Sequence, residues 1–185
     1  MTSGKPKGLA RASKPLRPAM GEGHAEPAAA SSHGTARRRV TARVLLLDPD
    51  DRVLLMNGRL PGAPTGEGAW FTLGGGVEAG ESVRQAAVRE VLEETGFAAV
   101  QLGAHVWTRR LDIHDAEGPI AATEHFFLAR CSGGEPSRAG WLPIEHQLID
   151  DLRWWTLADL RLCEERVFPP DLADRLAEAL ASEDG

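Results

Sequence analysis

Three glutamates, Glu90, Glu93 and Glu94, stand at i, i+3 and i+4 in the segment VREVLEETGF. On an α-helix this spacing puts all three carboxylates on one face. Like charges so placed repel by about 0.2–0.5 kcal/mol per pair, so the arrangement gains a chain little unless a cation binds it. Hard divalent ions such as Mg²⁺ take oxygen ligands, often a few carboxylates together with substrate phosphates. The chemistry indicated is a helix-borne Mg²⁺ site for reactions of phosphates.

Such a site needs a helix with fixed ends, and the sequence supplies one. A glycine-rich turn, Gly74-Gly75-Gly76, leads toward it. Ser82 is a candidate N-cap, and Gln85 three residues on completes a capping-box pattern. Gly96 stands where a helix ends in a left-handed residue. At about 100° per residue, Ala87, Val88, Val91 and Leu92 form one apolar arc. The glutamates fall on the adjoining arc, so we expect them at the edge of the packed face. Arg89 lies away from the apolar arc and is placed to hold Glu81 or a ligand glutamate by a charge-assisted hydrogen bond.

The stretch from Gly75 to Phe97 resembles the Nudix box, G-x5-E-x7-R-E-U-x-E-E-x-G-U with U apolar. Gly75, Glu81, Arg89, Glu90, Val91, Glu93, Glu94, Gly96 and Phe97 match every defined position. With seven fixed residues at about one in ten each, a chance match at a given start is on the order of one in ten million. The resemblance implies an α/β fold, an α/β/α sandwich with a mixed sheet, over roughly residues 39–182. It implies hydrolysis of a nucleoside diphosphate linked to another group, by water attack on phosphorus with Mg²⁺ or Mn²⁺. By the same resemblance Glu90, Glu93 and Glu94 ligate metal and the Gly75 carbonyl adds a backbone ligand. Glu81 and Arg89 orient them. The general base is a box glutamate (Glu94 or Glu90) or a glutamate of a later loop. Glu145, in LPIEHQ, is the loop candidate, against the plain alternative of an exposed loop charge. Glu124 and Glu135 are further candidates.

The rest of the chain supplies a scaffold for this helix. Residues 1–38 are rich in Pro, Gly, Ala, Ser and Lys/Arg and nearly free of large apolar side chains. They cannot bury enough surface to offset ordering entropy, and we expect a disordered arm. Residues 40–47 and 52–56 read as strands of a hairpin around Asp48-Pro49-Asp50-Asp51. Residues 60–68 form a Gly/Pro loop, and 70–73 a short strand. Strands are expected near 99–112 and 122–130, with a turn at 115–118. A loop over 133–144 precedes a last strand at 151–156, and helices follow at 157–163 and 171–181.

Composition bounds the partners. A net charge of −6 argues against general nucleic-acid binding but not against small phosphorylated substrates held through metal, so the partner expected is a small nucleotide-type molecule. A homodimer is compatible with these features. No apolar run approaches the ~20 residues of a membrane span, and the N-terminus lacks a signal-peptide stretch. Cys131 and Cys163 read as plain thiols of a reducing compartment, so we expect a cytoplasmic protein. Trp70, Trp107, Trp154 and Trp155 are candidates to stack on a base, against the ordinary alternative of core aromatics. Strand alternation puts one ring of the Trp154-Trp155 pair on each sheet face. His105, His114, His125 and His146 lack metal-ligand spacing.

Substrate markers are missing. The chain has no Tyr, and Pro119, the first Pro after the box, lies too far along for the ADP-ribose marker of the family. Two other classes share the fold. A Nudix-fold nucleotide-binding regulatory domain without turnover typically loses box glutamates, and all are present here. A prenyl-diphosphate isomerase is expected to carry a Cys before the box, and no Cys precedes Cys131.

Overall fold

The computed structural model describes residues 36–59, 68–115 and 117–183. The expected arm therefore lies outside the described residues up to position 35, as do most of the 60–68 loop and Ala116 in the turn at 115–118.

Strand β1 (Arg37–Leu47) is the spine of the molecule. From Thr41 onward every residue of it is buried, which is why the sequence reads as a run rather than an alternation. It pairs in parallel with β5 (Gly118–Arg130) along its whole length, from Arg37↔Ile120 to Leu47↔Arg130. Its other edge takes the glycine segment: Val44 N–H donates to Leu73 O at 2.9 Å, Ala42 N–H to Gly75 O at 3.0 Å, and Val77 N–H to Val40 O at 3.0 Å. The expected Asp-Pro-Asp-Asp turn closes the hairpin to β2 (Val53–Arg59). Buried Asp48 fixes that turn by accepting from the N–H groups of Asp50 and Arg52 at 3.0 and 2.9 Å.

The remaining strands are β3 (Gly68–Thr72), β4 (Gln101–Asp115), β6 (Ile149–Trp155) and β7 (Val167–Phe168). The mixed sheet runs β4-β5-β1-β2-β3-β7, with β6 beside β2. The helices are α1 (Val83–Thr95), α2 (Glu145–Leu148), α3 (Leu157–Arg161) and α4 (Leu172–Glu183). Two cores lie on opposite faces of the sheet. One joins Ala42, Val44 and Leu46 to Ala86, Ala87 and Val91 of α1. The other joins Leu45 and Leu47 to Leu160 of α3 and Leu172, Leu176 and Ala179 of α4. The α/β/α sandwich with a mixed sheet is thus the observed fold.

Several expectations need correction. Strands β1, β4 and β5 extend beyond the expected bounds, and Arg37 and Arg38 pair with Ile120 and Ala121 inside β1. Short α2 and β7 were not expected. Each has too few residues to show a period. The inward face of α1 is Ala86, Ala87, Glu90, Val91, Glu94 and Thr95. Val88 and Leu92, assigned to the apolar arc, are 40% and 46% exposed. Glu90 and Glu94 are therefore inside the packing, not at its edge.

Candidate active site

Both ends of α1 are pinned as the sequence indicated. Ser82 Oγ accepts from Gln85 N–H at 3.3 Å, and Gln85 Oε1 accepts from Ser82 N–H at 2.8 Å. Gly96, at φ 75°, closes the helix through its N–H to Leu92 O. Downstream chain covers the C-terminal end. Trp141 donates its indole N–H to Glu94 O at 2.7 Å, and Ser137 N–H bonds Thr95 O at 2.7 Å.

Within this frame Arg89 is the hub. It donates to both Glu81 oxygens at 3.2 and 2.7 Å, to Glu90 at 2.7 Å, to Glu93 at 3.1 Å and to the Gly76 carbonyl at 3.0 Å. One guanidinium thus ties the expected orienting residue, two expected ligands and the glycine turn together. Its hydrogen bond to Glu81 raises its own pKa against the opposing effect of burial. A Cβ on Gly75 would sit 2.5–2.7 Å from the Glu90 carboxylate atoms and would push that carboxylate out of its place on Arg89.

Glu94 is different. It is 3% exposed, and one oxygen accepts from Gly74 N–H at 2.8 Å. The other oxygen is buried and has no hydrogen-bond partner. Complete burial, then the Glu90 carboxylate, holds Glu94 well above the usual carboxylate range, and Glu145 adds to that push. The Gly74 N–H and the Arg43 charge oppose it. Burial likewise raises Glu90, against the pull of Arg89.

The three carboxylates do not converge. Among the described residues, no group of three or more His, Cys, Asp or Glu side chains is arranged to hold a metal ion. Glu90 and Glu93 are drawn to Arg89 while Glu94 turns to Gly74. The donor set nevertheless suits a hard cation. It offers adjacent carboxylates, one with an unpartnered buried oxygen, and a Gly75 carbonyl that accepts from the Ala42 N–H at 3.0 Å and has a second lone pair.

Glu145 opens helix α2 rather than lying in a loop, and accepts from Leu142 N–H at 2.7 Å. It is half-buried and close enough to act on Glu94. Glu124, by contrast, is buried and locked to Arg43 at 3.1 Å, and Glu135 is exposed.

A small cleft of about 20 Å³ is lined by Arg43, Thr72, Arg109, Glu124, Phe126 and Phe168, with Phe71 and Pro169 completing it. None of the four tryptophans proposed for stacking lines it. Trp70 and Trp155 pack edge to face at 5.0 Å in the core, and Trp154 donates its indole N–H to Gly134 O. Trp154 and Trp155 do fall in opposite cores. Trp107 stacks on Phe126 at 4.1 Å and so supports a cleft wall. Arg43 and Phe168 were not anticipated. The signal for Arg43 was present, as a lone charge in the apolar run TARVLLL.

The family model of the NUDIX domain matches residues 37–178. The chain belongs to the NUDIX family. It is similar to a CTP pyrophosphohydrolase of Escherichia coli, with 30% identity over 117 residues, covering 57% of this chain and 84% of that protein. Among solved structures it is similar to a MutT NUDIX hydrolase from Burkholderia pseudomallei at 28% identity and TM-score 0.51, covering 74% of this chain and 95% of the other. The MutT protein of Methanosarcina mazei Go1 shares the fold at TM-score 0.59 and 17% identity, covering 83% of this chain and all of that one, 100%. This protein is accordingly a Nudix hydrolase. No described helix is long and apolar enough to cross a membrane.

Proposed function

We propose that the protein hydrolyses a nucleoside triphosphate or related nucleoside diphosphate derivative at a phosphoanhydride bond, by water attack on phosphorus, with Mg²⁺ or Mn²⁺. The observation that carries this reading is Glu94, a fully buried carboxylate with one unpartnered oxygen beside a second buried carboxylate, Glu90. A chain that only folds gains nothing from that arrangement, since a buried carboxyl with an unmet acceptor is costly whether or not it is ionised. Glu90, Glu93, Glu94 and the Gly75 carbonyl would hold the ion. Bound there, it would neutralise diphosphate charge and lower the pKa of a water.

The chain's own residues have separate tasks. Arg89 and Glu81 keep Glu90 and Glu93 in register with the glycine turn. Release of these two carboxylates from Arg89 would let them gather with Glu94. Glu145 takes the proton of the attacking water, because a carboxylate engaged with a cation is a poor acceptor. The nucleoside lies at the outer edge of the cleft, against the half-buried Phe168 ring and the half-buried Arg109, and not among the buried side chains behind them. Similarity to a CTP pyrophosphohydrolase favours a pyrimidine nucleoside triphosphate.

The test is release of phosphate or pyrophosphate by purified protein with Mg²⁺ or Mn²⁺. The panel should contain CTP and dCTP, the other nucleoside triphosphates, oxidised nucleotides, ADP-ribose, nucleotide sugars and dinucleoside polyphosphates. Turnover of CTP above the others supports the reading. Absence of turnover across the panel refutes it and favours a binding domain.

A further inference from the structure

Arg43 is the only charged residue among positions 41–47 of β1, and it lies on the sheet face opposite α1, in register with Leu45 and Leu47. It is 4% exposed and its partner Glu124 6%. Nε and Nη2 of Arg43 each lie 3.1 Å from Glu124 Oε1. The third nitrogen, Nη1, donates to the Gly74 carbonyl at 3.1 Å. Gly74 is the residue whose N–H donates to Glu94 Oε2 at 2.8 Å. Its φ of +123° is a conformation that only glycine adopts readily. A fork of fixed geometry, held from behind by a carboxylate, thus grips the Gly74 carbonyl, between the Leu73 and Gly75 carbonyls that the β1 backbone holds.

Stability does not explain the pair. Buried ion pairs can be exchanged for apolar residues of similar volume with neutral or favourable effect, because desolvation costs as much as the pairing returns. Phe71, Phe126 and Phe168, which line the same cleft, would accept such a change, with the half-buried Arg109, 4.0 Å from Glu124, left at the edge. What apolar residues cannot supply is the donor to Gly74.

We propose that the Arg43–Glu124 pair is a positioning device for the hydrolytic site: Glu124 fixes the guanidinium, Arg43 pins the Gly74 carbonyl, and the pinned turn holds its N–H on Glu94. This rests on the function proposed above. Outer partners of this kind typically change metal affinity or activity 10- to 100-fold when removed.

The test compares the full chain with the double variant Arg43→Met/Glu124→Met and the single variant Arg43→Lys. In the double variant we expect an unchanged or higher melting temperature, a kcat lowered about 10- to 100-fold, a similar rise in the Mg²⁺ concentration for half-maximal rate, and little change in KM. Arg43→Lys keeps the charge but loses the fork, and should fall between the two. In the ¹⁵N spectrum without metal, the Gly74 amide should exchange with solvent at least tenfold faster in the double variant. A folded double variant with native kcat and native Gly74 protection overturns the proposal. So does a rise in KM at constant kcat, which would make the pair a substrate contact. If the double variant fails to fold, a folded Arg43→Lys with native kcat and native Gly74 exchange overturns it equally. If the wild-type chain turns over no nucleotide, the functional reading fails, while the Gly74 amide still decides whether the pair holds the turn.

Discussion

Replacing Glu94 by glutamine should raise the stability of the metal-free protein while abolishing its chemistry. Glu94 is 3% exposed, with one oxygen on the Gly74 N–H and the other unpartnered. A buried acceptor without a partner costs about 1–3 kcal/mol, more when charged. Glutamine keeps the volume and the acceptor for Gly74, removes the charge, and turns its NH₂ into a field made negative by Glu90. Allowing for the cost of seating that NH₂, a net gain of about 1 kcal/mol is reasonable, which for a chain of this size is about 2–4 °C. The pH dependence follows from the direction of the shift. The folded state binds the Glu94 proton more tightly than the unfolded chain does. The wild type therefore loses stability as pH rises above the ordinary carboxylate range, and the two proteins should converge in acid, where Glu94 is neutral. Metal acts in the opposite sense. At 100 times its dissociation constant it adds about 2.7 kcal/mol to whatever binds it, so excess Mg²⁺ should stabilise the wild type more than the variant. Turnover should fall at least ~10²-fold. The assays are thermal unfolding with chelator at two pH values, the same with Mg²⁺, and nucleotide hydrolysis. A variant that melts below wild type in chelator refutes the energetic argument, and near-native turnover refutes the metal assignment.

Glu145→Gln keeps an acceptor for Leu142 N–H but no base, and should lower kcat about 10²–10⁴-fold with the metal dependence unchanged. A native kcat would place the base on Glu94 or Glu90. A chain starting at Ala36 should match the full chain in kcat/KM and melting temperature. A start at Arg39 should melt lower, because it removes the pairing of Arg37 and Arg38 with β5 and the Arg37–Glu117 ion pair. His125 is held below its ordinary value by burial, then by His105 and Arg110. As pH falls through that value the unfolded chain takes up the proton first, so stability declines. His125→Gln should flatten the melting temperature between about pH 7 and 5.

What was legible in the sequence was local. Glu90, Glu93 and Glu94 share a face because helical spacing alone decides it, and the Ser82–Gln85 box and the Asp48 turn depend on neighbours within four residues. What was misread depended on partners far along the chain. Of the apolar arc Ala87, Val88, Val91 and Leu92, Ala87 and Val91 do face the core, but the packing is centred further round, toward the glycine turn, so Glu90 and Glu94 are drawn in and Val88 and Leu92 are left half exposed. Phe168 reaches the cleft because β7 pairs with β3 through Trp70↔Val167 and Phe71↔Phe168. No periodicity in a two-residue strand announces that pairing. For the tryptophans the core alternative holds: Trp70 and Trp155 are buried, and Trp107 and Trp154 pack partly buried against the two cores.

The inward turn of Glu90 and Glu94 and the buried Arg43 have one cause, which bears on how the site works. Hydropathy assumes that a chain buries what water rejects, yet here the chain buries Glu90 and Glu94 on one side of β1 and Arg43 with Glu124 on the other. Each of these is a cost to the fold. They meet at Gly74, whose carbonyl takes Arg43 and whose N–H takes Glu94. On the near side the carboxylates are held apart by Arg89 and Gly74 and not gathered for a cation, so binding one requires breaking ion pairs that already exist. The affinity observed will be the intrinsic affinity reduced by that cost. Loosening Arg89 should therefore tighten or weaken metal binding according to whether release of Glu90 and Glu93 outweighs their loss of order. The many contacts Arg89 makes with Glu81 and the Gly76 carbonyl argue that the loss of order wins, because they survive the release of Glu90 and Glu93 and keep the guanidinium, and with it the turn, in place.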